Sequence, residues 1–211
     1  MRQSWKYKLL MFGLFTVAYG VMYVFPNLHP KWQPQFLPLL ALDYWVPFLP
    51  WSFFIYMSDY ILFLLVLIQL DDQESFNPFA RMAFAVLLIC GSFFIFYPTT
   101  YPRPLYPTVE NPALQFVLNL ISAADTPNNC FPSMHVSLTG IAAWSMRAKG
   151  PRWHFLFWVW SVAIFASTMT TKQHYFLDVL GGLCVIGTVV SLEWVLFEKR
   201  YLKTLVNRWP L

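Results

Sequence analysis

Charge is what this chain has least of. Only 11% of its 211 residues are Asp, Glu, Lys or Arg, against roughly 25% in a soluble domain. That argues against a water-soluble globule, and no segment is long or polar enough to form a separate soluble domain. Cysteine is scarce as well. Cys90 and Cys184 lie inside apolar runs and Cys130 lies nearer to polar sequence, so there is no disulfide framework. A leader-cleavage pattern is missing: Arg2, Lys6 and Lys8 precede an apolar run, but Tyr23-Val24-Phe25-Pro26 follows without small residues. The first apolar run is therefore expected to be retained. No internal repeat, low-complexity tract or nucleic-acid motif is present, so nucleic acid is not an expected partner.

What is there is apolar. Hydrophobic residues make up 58% of the chain and aromatics 20%. Apolar runs recur at the length of about 20 residues needed to cross ~30 Å of hydrocarbon. They fall at about 9–25, 51–70, 82–97, 132–146, 153–170 and 174–197. The expected fold is all-α: a single polytopic membrane domain over 1–211, built as a bundle of six transmembrane helices. A Pro- and Trp-rich stretch, 26–50, has no helical period and suits the membrane interface. A long loop is expected from the Pro98 to Pro104 stretch to Phe131, and a basic tail follows Glu198.

The distribution of Lys and Arg orients this bundle. With six spans, eleven of the fourteen fall on the side of the N-terminus, the second and fourth loops and the C-terminus. Lys31, Arg103 and Lys172 fall on the other. Positive loops stay in the cytoplasm. The expected location is a bacterial inner membrane with both termini cytoplasmic. Arg103, His135, His174 and Asp178 then share the outer face.

The stretch Ser167 to Asp178 carries the strongest chemical signal. His174 and Asp178 are four residues apart, so on a helix they share one face. The Asp can fix the tautomer of the ring and leave the other nitrogen as base, nucleophile or ligand. A structural His–Asp hydrogen bond is the plainer explanation. However, an ionisable residue within a span costs several kcal/mol unless it is paired or wet, which favours function. Pro132-Ser133-Met134-His135 reads as a helix start with proline at its first position. The backbone N–H groups of Met134 and His135 and the Ser133 hydroxyl can bind an anion there, and His135 can donate a proton. A capped helix with an interfacial histidine is the plainer reading. Arg103, between two prolines, can pair with phosphate oxygens or snorkel to the headgroups. Asp59, near the middle of the second span, can hold an acceptor hydroxyl or pair with a neighbouring helix.

Together these residues fit in-line phosphoryl transfer. His174 attacks phosphorus while Asp178 holds its ring. Arg103, Ser133 and the N–H groups of Met134 and His135 neutralise the equatorial oxygens. His135 protonates the leaving alkoxide and then activates the acceptor. No metal or other cofactor is required. A zinc site of His135, His174 and Asp178 is the less favoured alternative, because the arginine and the helix start suit an anion.

These motifs resemble the type-2 phosphatidic acid phosphatase superfamily. Pro132 to His135 looks like its PSGH motif, Ser167 to Asp178 like S-R-x5-H-x3-D, and Arg103-Pro104 like the end of K-x6-R-P. The resemblance implies a six-helix membrane core, a phosphohistidine mechanism and a catalytic region over about 82–197. Two cations of the pattern are absent. Phe96 stands at the lysine position and Thr168 at the arginine position; Lys172 is the candidate to replace the second. The PSMH variant, Cys130-Phe131 before it, and Gly181-Gly182 after Asp178 look more like the inositol phosphorylceramide synthase branch, which transfers to a lipid alcohol. The expected partners are a lipid phosphate or phospholipid and the bilayer itself. Lipid phosphatase, headgroup phosphotransferase and a lipid-binding or lipid-moving protein on a decayed scaffold all remain open. A vanadate haloperoxidase, also similar to this superfamily, would need more cations and a soluble chain.

Overall fold

The computed structural model describes residues 2–101, 109–124 and 126–198. Those residues are mostly helical. Five helices are long and apolar enough to cross a membrane: Trp5–Leu28, Pro50–Gln69, Gln73–Phe96, Pro151–Thr170 and Phe176–Phe197. The first comprises α1 (Trp5–Tyr19), a π-turn and α2 (Phe25–Leu28). Two residues of strand, β1 (Gln35–Phe36), and a one-turn helix, α3 (Ala41–Trp45), follow within the Pro- and Trp-rich connection.

The second long helix is interrupted. A 3-10 turn at Pro50–Ser52 leads into α4 (Phe53–Tyr56), and the chain turns at Met57 and Ser58 before α5 (Asp59–Gln69) begins. Trp160 holds the break, because its indole Nε1–H donates to Ser58 Oγ at 2.8 Å while Ser58 Oγ donates to the Ile55 carbonyl at 2.6 Å. Asp59 thus starts a helical segment rather than sitting inside one.

α6 (Gln73–Phe96) begins nine residues ahead of its expected start. Asp72 caps it, accepting from the Ser75 N–H at 2.8 Å. Its polar first turns carry Arg81 to a fork-like pair with Glu193. β2 (Thr99–Thr100) pairs in parallel with β1. The expected loop before Phe131 contains α7 (Pro112–Ala124). Asn111 starts that helix by accepting from the N–H groups of Ala113 and Leu114, with proline at the first helical position. Leu114 and Leu118 then pack with Phe53 and Tyr56 of α4 in a small core of their own.

α8 (Met134–Ser145) is the hub. It packs on α5, α6, α9 (Pro151–Thr170) and α10 (Phe176–Glu193). Nine of its twelve residues are buried. It is shorter than the roughly 20 residues of a full crossing, so the fourth expected span is a short central helix continued by a 3-10 turn, Met146–Lys149. Small residues let the neighbours close in on it. Gly182 of α10 marks a close approach to main chain, since a Cβ there would stand 2.9 Å from the Ser133 carbonyl oxygen and 2.8 Å from Val136 Cβ.

The two ends of the bundle differ in chemistry. At one end the Gln3 N–H reaches the Asp71 carbonyl at 2.7 Å, Lys149 pairs with Asp71 and Asp72, and Arg81 pairs with Glu193. At the other, Phe131 N–H donates to Thr99 Oγ1 at 2.8 Å and Ser133 N–H to the Asp178 carbonyl at 3.0 Å. The starts of α8 and α10 are therefore tied together at this second end.

Candidate active site

His174 and Asp178 meet, but not as two residues on one helical face. α10 begins at Phe176, so His174 lies in the turn before it. Tyr175 is the N-cap and is extended there, with φ −118° and ψ 172°. His174 is fixed from behind by its own N–H, which donates to the Thr168 carbonyl at 3.0 Å. Its Nδ1 lies 3.4 Å from Asp178 Oδ2. That same oxygen accepts the Tyr175 N–H at 3.0 Å, which is the back-reaching half of a capping box. Asp178 is therefore both a helix cap and the partner of the ring.

Asp178 is fully buried. A buried carboxylate needs donors on both oxygens. Tyr101 supplies the third, donating from its hydroxyl to Oδ1 at 3.3 Å. Burial, and next the neighbouring Asp178, push the Tyr101 phenol far above its ordinary range, so it stays a donor. With Nδ1–H directed to Asp178, the lone pair of the ring is on Nε2.

His135 stands beside this pair. Its ring centroid is 5.7 Å from that of His174, in an edge-on arrangement. Asp59 Oδ2 lies 3.7 Å from His135 Nε2, and the Tyr56 hydroxyl lies 3.5 Å from Nδ1. Asp59, read from sequence as a mid-span carboxylate for an acceptor hydroxyl or a neighbouring helix, thus faces His135 of α8.

Other expectations change. Helix α8 starts at Met134, so Pro132 is two residues before it rather than at its first position. Ser133 is the N-cap: it is fully buried and its Oγ accepts the Val136 N–H at 3.4 Å. Capping engages the oxygen of that serine as an acceptor, and its O–H is a separate donor. Met134 and His135 supply the first two N–H groups of the helix, as expected. Lys172, the candidate for the missing arginine, has two of its three protons engaged by backbone carbonyls. It donates to the carbonyls of Asp43 at 2.9 Å and Val46 at 2.6 Å. Burial pushes its amine below the ordinary value, with Asp43 opposing. Thr168 turns its hydroxyl to the Phe165 carbonyl at 2.7 Å, within its own helix. Arg103 lies outside the described residues. Among those described, no group of three His, Cys, Asp or Glu side chains is placed to hold a metal ion.

Sequence reasoning missed three contributors: Tyr101, Tyr56 and Asp43. Asp43 is buried on α3; its Oδ2 caps that helix through the Leu40 N–H, and its Oδ1 accepts the Phe176 N–H at 2.8 Å. With Lys172 it straps α3 to the start of α10. Nothing local in the sequence links these residues to the histidines.

A family model described as the PAP2 superfamily matches residues 27–192. The chain belongs to this superfamily. The match spans every side chain of this site, from Asp43 of the α3 strap to Asp178 of α10. Its members are phosphatases, so membership supports an enzyme acting on phosphate esters. Comparison with curated proteins gives no significant match.

Proposed function

We propose that this PAP2 protein is an integral membrane enzyme that cleaves lipid phosphate esters through a phosphohistidine on His174. One observation carries the reading: a buried, triply bonded carboxylate holds Nδ1 of a histidine that stands beside a second histidine at a helix start. The Nε2 lone pair of His174 attacks phosphorus as the ester P–O bond breaks, and His135 gives its proton to the leaving alkoxide. Water or an alcohol then loses a proton to His135 and attacks phosphorus. The P–N bond breaks and its electrons return to Nε2. The N–H groups of Met134 and His135, with Arg103, balance the phosphoryl charge.

Two features support a lipid substrate. The five long apolar helices suit a chain embedded in a bilayer. An apolar groove of about 410 Å³ runs between α6 and α10, lined by Ile89, Phe93, Phe131, Pro132, Leu177 and Leu180. Pro132 and Leu177, which line it, are the chain neighbours of Ser133 and Asp178. The skew of Lys and Arg supports cytoplasmic termini and a site on the outer face of a bacterial inner membrane.

Transfer of a phospho-headgroup to a lipid alcohol is the second reading. It is favoured by Phe96 and Thr168 at the family's cation positions, since a phosphodiester carries less charge than a monoester. The test incubates purified protein, and His174→Ala beside it, with lipid phosphomonoesters, diphosphates and glycerophosphodiesters. Free phosphate that the variant fails to release marks a phosphatase. A new phosphodiester lipid without free phosphate marks a transferase. If neither product forms, the phosphohistidine reading fails and a lipid-binding protein takes its place.

A further inference from the structure

The break in the second long helix has a chemical outcome. Where the helix turns at Met57 and Ser58, α5 restarts with Asp59 in its first turn. Asp59 Oδ1 accepts the adjacent Tyr60 N–H at 2.8 Å. Oδ2 is turned to Nε2 of His135 at 3.7 Å. Both partners are largely withdrawn from water, with side-chain exposures of 8% for Asp59 and 19% for His135. A carboxylate so placed acts strongly on its neighbour, because solvent screens it little.

We propose that Asp59 is a positioning residue for His135, and that the two form a second histidine–carboxylate pair set against His174–Asp178. The proposal rests on the phosphohistidine reading above. Asp59 holds the Nε2–H tautomer of neutral His135 and balances the imidazolium when Nδ1 is protonated as well. Nδ1, the nitrogen beside the Tyr56 hydroxyl, is the one that exchanges a proton with the substrate. In the first half-reaction the Nδ1–H proton passes to the leaving oxygen as the P–O bond breaks. In the second, Nδ1 takes a proton from the incoming water or alcohol. Ser58 and Trp160 matter because they hold the break that aims Asp59. The sequence left Asp59 either to an acceptor hydroxyl or to a neighbouring helix; the 3.7 Å approach to His135 favours the second.

A general acid is needed in proportion to the basicity of the leaving group. The test therefore compares two phosphate monoesters that share a long alkyl chain: one with an alkanol leaving group, one with a nitrophenol. Full-length wild-type protein, Asp59→Asn and Asp59→Glu are assayed on both in the same bilayer. We expect Asp59→Asn to lose about 10²–10³-fold on the alkyl ester and less than about tenfold on the nitrophenyl ester. Asp59→Glu should recover part of the difference. Equal losses on the two esters would overturn the proposal and leave Asp59 a structural residue, as would no loss on either. Should Asp59→Asn fail to fold, Trp160→Phe, which frees the break, carries the same comparison and should shift the ratio of rates in the same direction by a smaller factor. An unchanged ratio there overturns the proposal too. Wild-type protein that cleaves neither ester removes the monoester phosphatase reading, an outcome distinct from any of these, and moves the same comparison to phosphodiesters with the two leaving groups.

Discussion

His174 and Asp178 lie four residues apart and meet within one helix cap, whereas His135 and Asp59 come from separate helices, α8 and α5. The first pair is closed on all sides: Asp178 accepts from the His174 ring, the Tyr175 N–H and the Tyr101 hydroxyl. The second is looser, at 3.7 Å, and its histidine is more open to its surroundings. The difference matches the two tasks proposed. A nucleophile gains from a ring fixed in one orientation. A proton carrier serves a leaving oxygen and then an incoming one, so it gains from a partner that tolerates small movements.

The largest expected effect breaks the comparison at its tighter side. His174→Ala should lose at least about 10⁴-fold in turnover on every ester, the nitrophenyl one included, and should form no acid-labile phosphoprotein. Asp178→Asn should cost about 10³-fold on both esters alike, measured as kcat, because it disturbs the nucleophile whatever the leaving group. That uniform loss contrasts with the split expected at Asp59. Tyr101→Phe removes one neutral donor to the carboxylate and should lower kcat by about tenfold, with the buried acceptor left short of a partner. Leu180→Trp, which fills the groove between α6 and α10, should raise KM for long-chain esters several-fold over short-chain ones and leave kcat nearly unchanged. Smallest is Lys172→Met. Because its amine binds backbone carbonyls of α3, this variant should lower thermal stability by about 1–2 kcal/mol with KM near the wild-type value. A large rise in KM would instead return Lys172 to the phosphate.

The tighter pair was legible in the sequence because its geometry is local. A histidine and an aspartate four residues apart meet in a helix and, as here, at a helix start. The family resemblance and the long apolar runs follow from local pattern in the same way. Asp59 was noticed as a carboxylate inside an apolar run, but its partner was not. That partner depends on a break whose cause, the Trp160 indole, sits on another helix. Asp43 and Tyr101 were invisible for the same reason, each reaching α10 from a distant connection. α7 did carry its own signal: Asn111-Pro112 followed by Leu114, Val117 and Leu118 at helical spacing. The prolines around 98–107 drew that whole stretch into a loop. Lys172 was chosen by proximity in sequence, which does not show that its backbone turns through a positive φ of 57° and that its amine reaches α3.

The close approach at Gly182 decides how the two histidines are spaced. α8 and α10 touch there through the Ser133 carbonyl, and the Ser133 N–H reaches back to the Asp178 carbonyl. Their distance is gauged where a residue without a side chain meets the Ser133 carbonyl and the β-branched, rotamer-poor Val136. Lipids can exchange around the bundle and side chains can re-sort along its outer faces, and the separation of proton donor from nucleophile stays the same. The bundle acts as a jig whose one critical dimension is cut in the backbone.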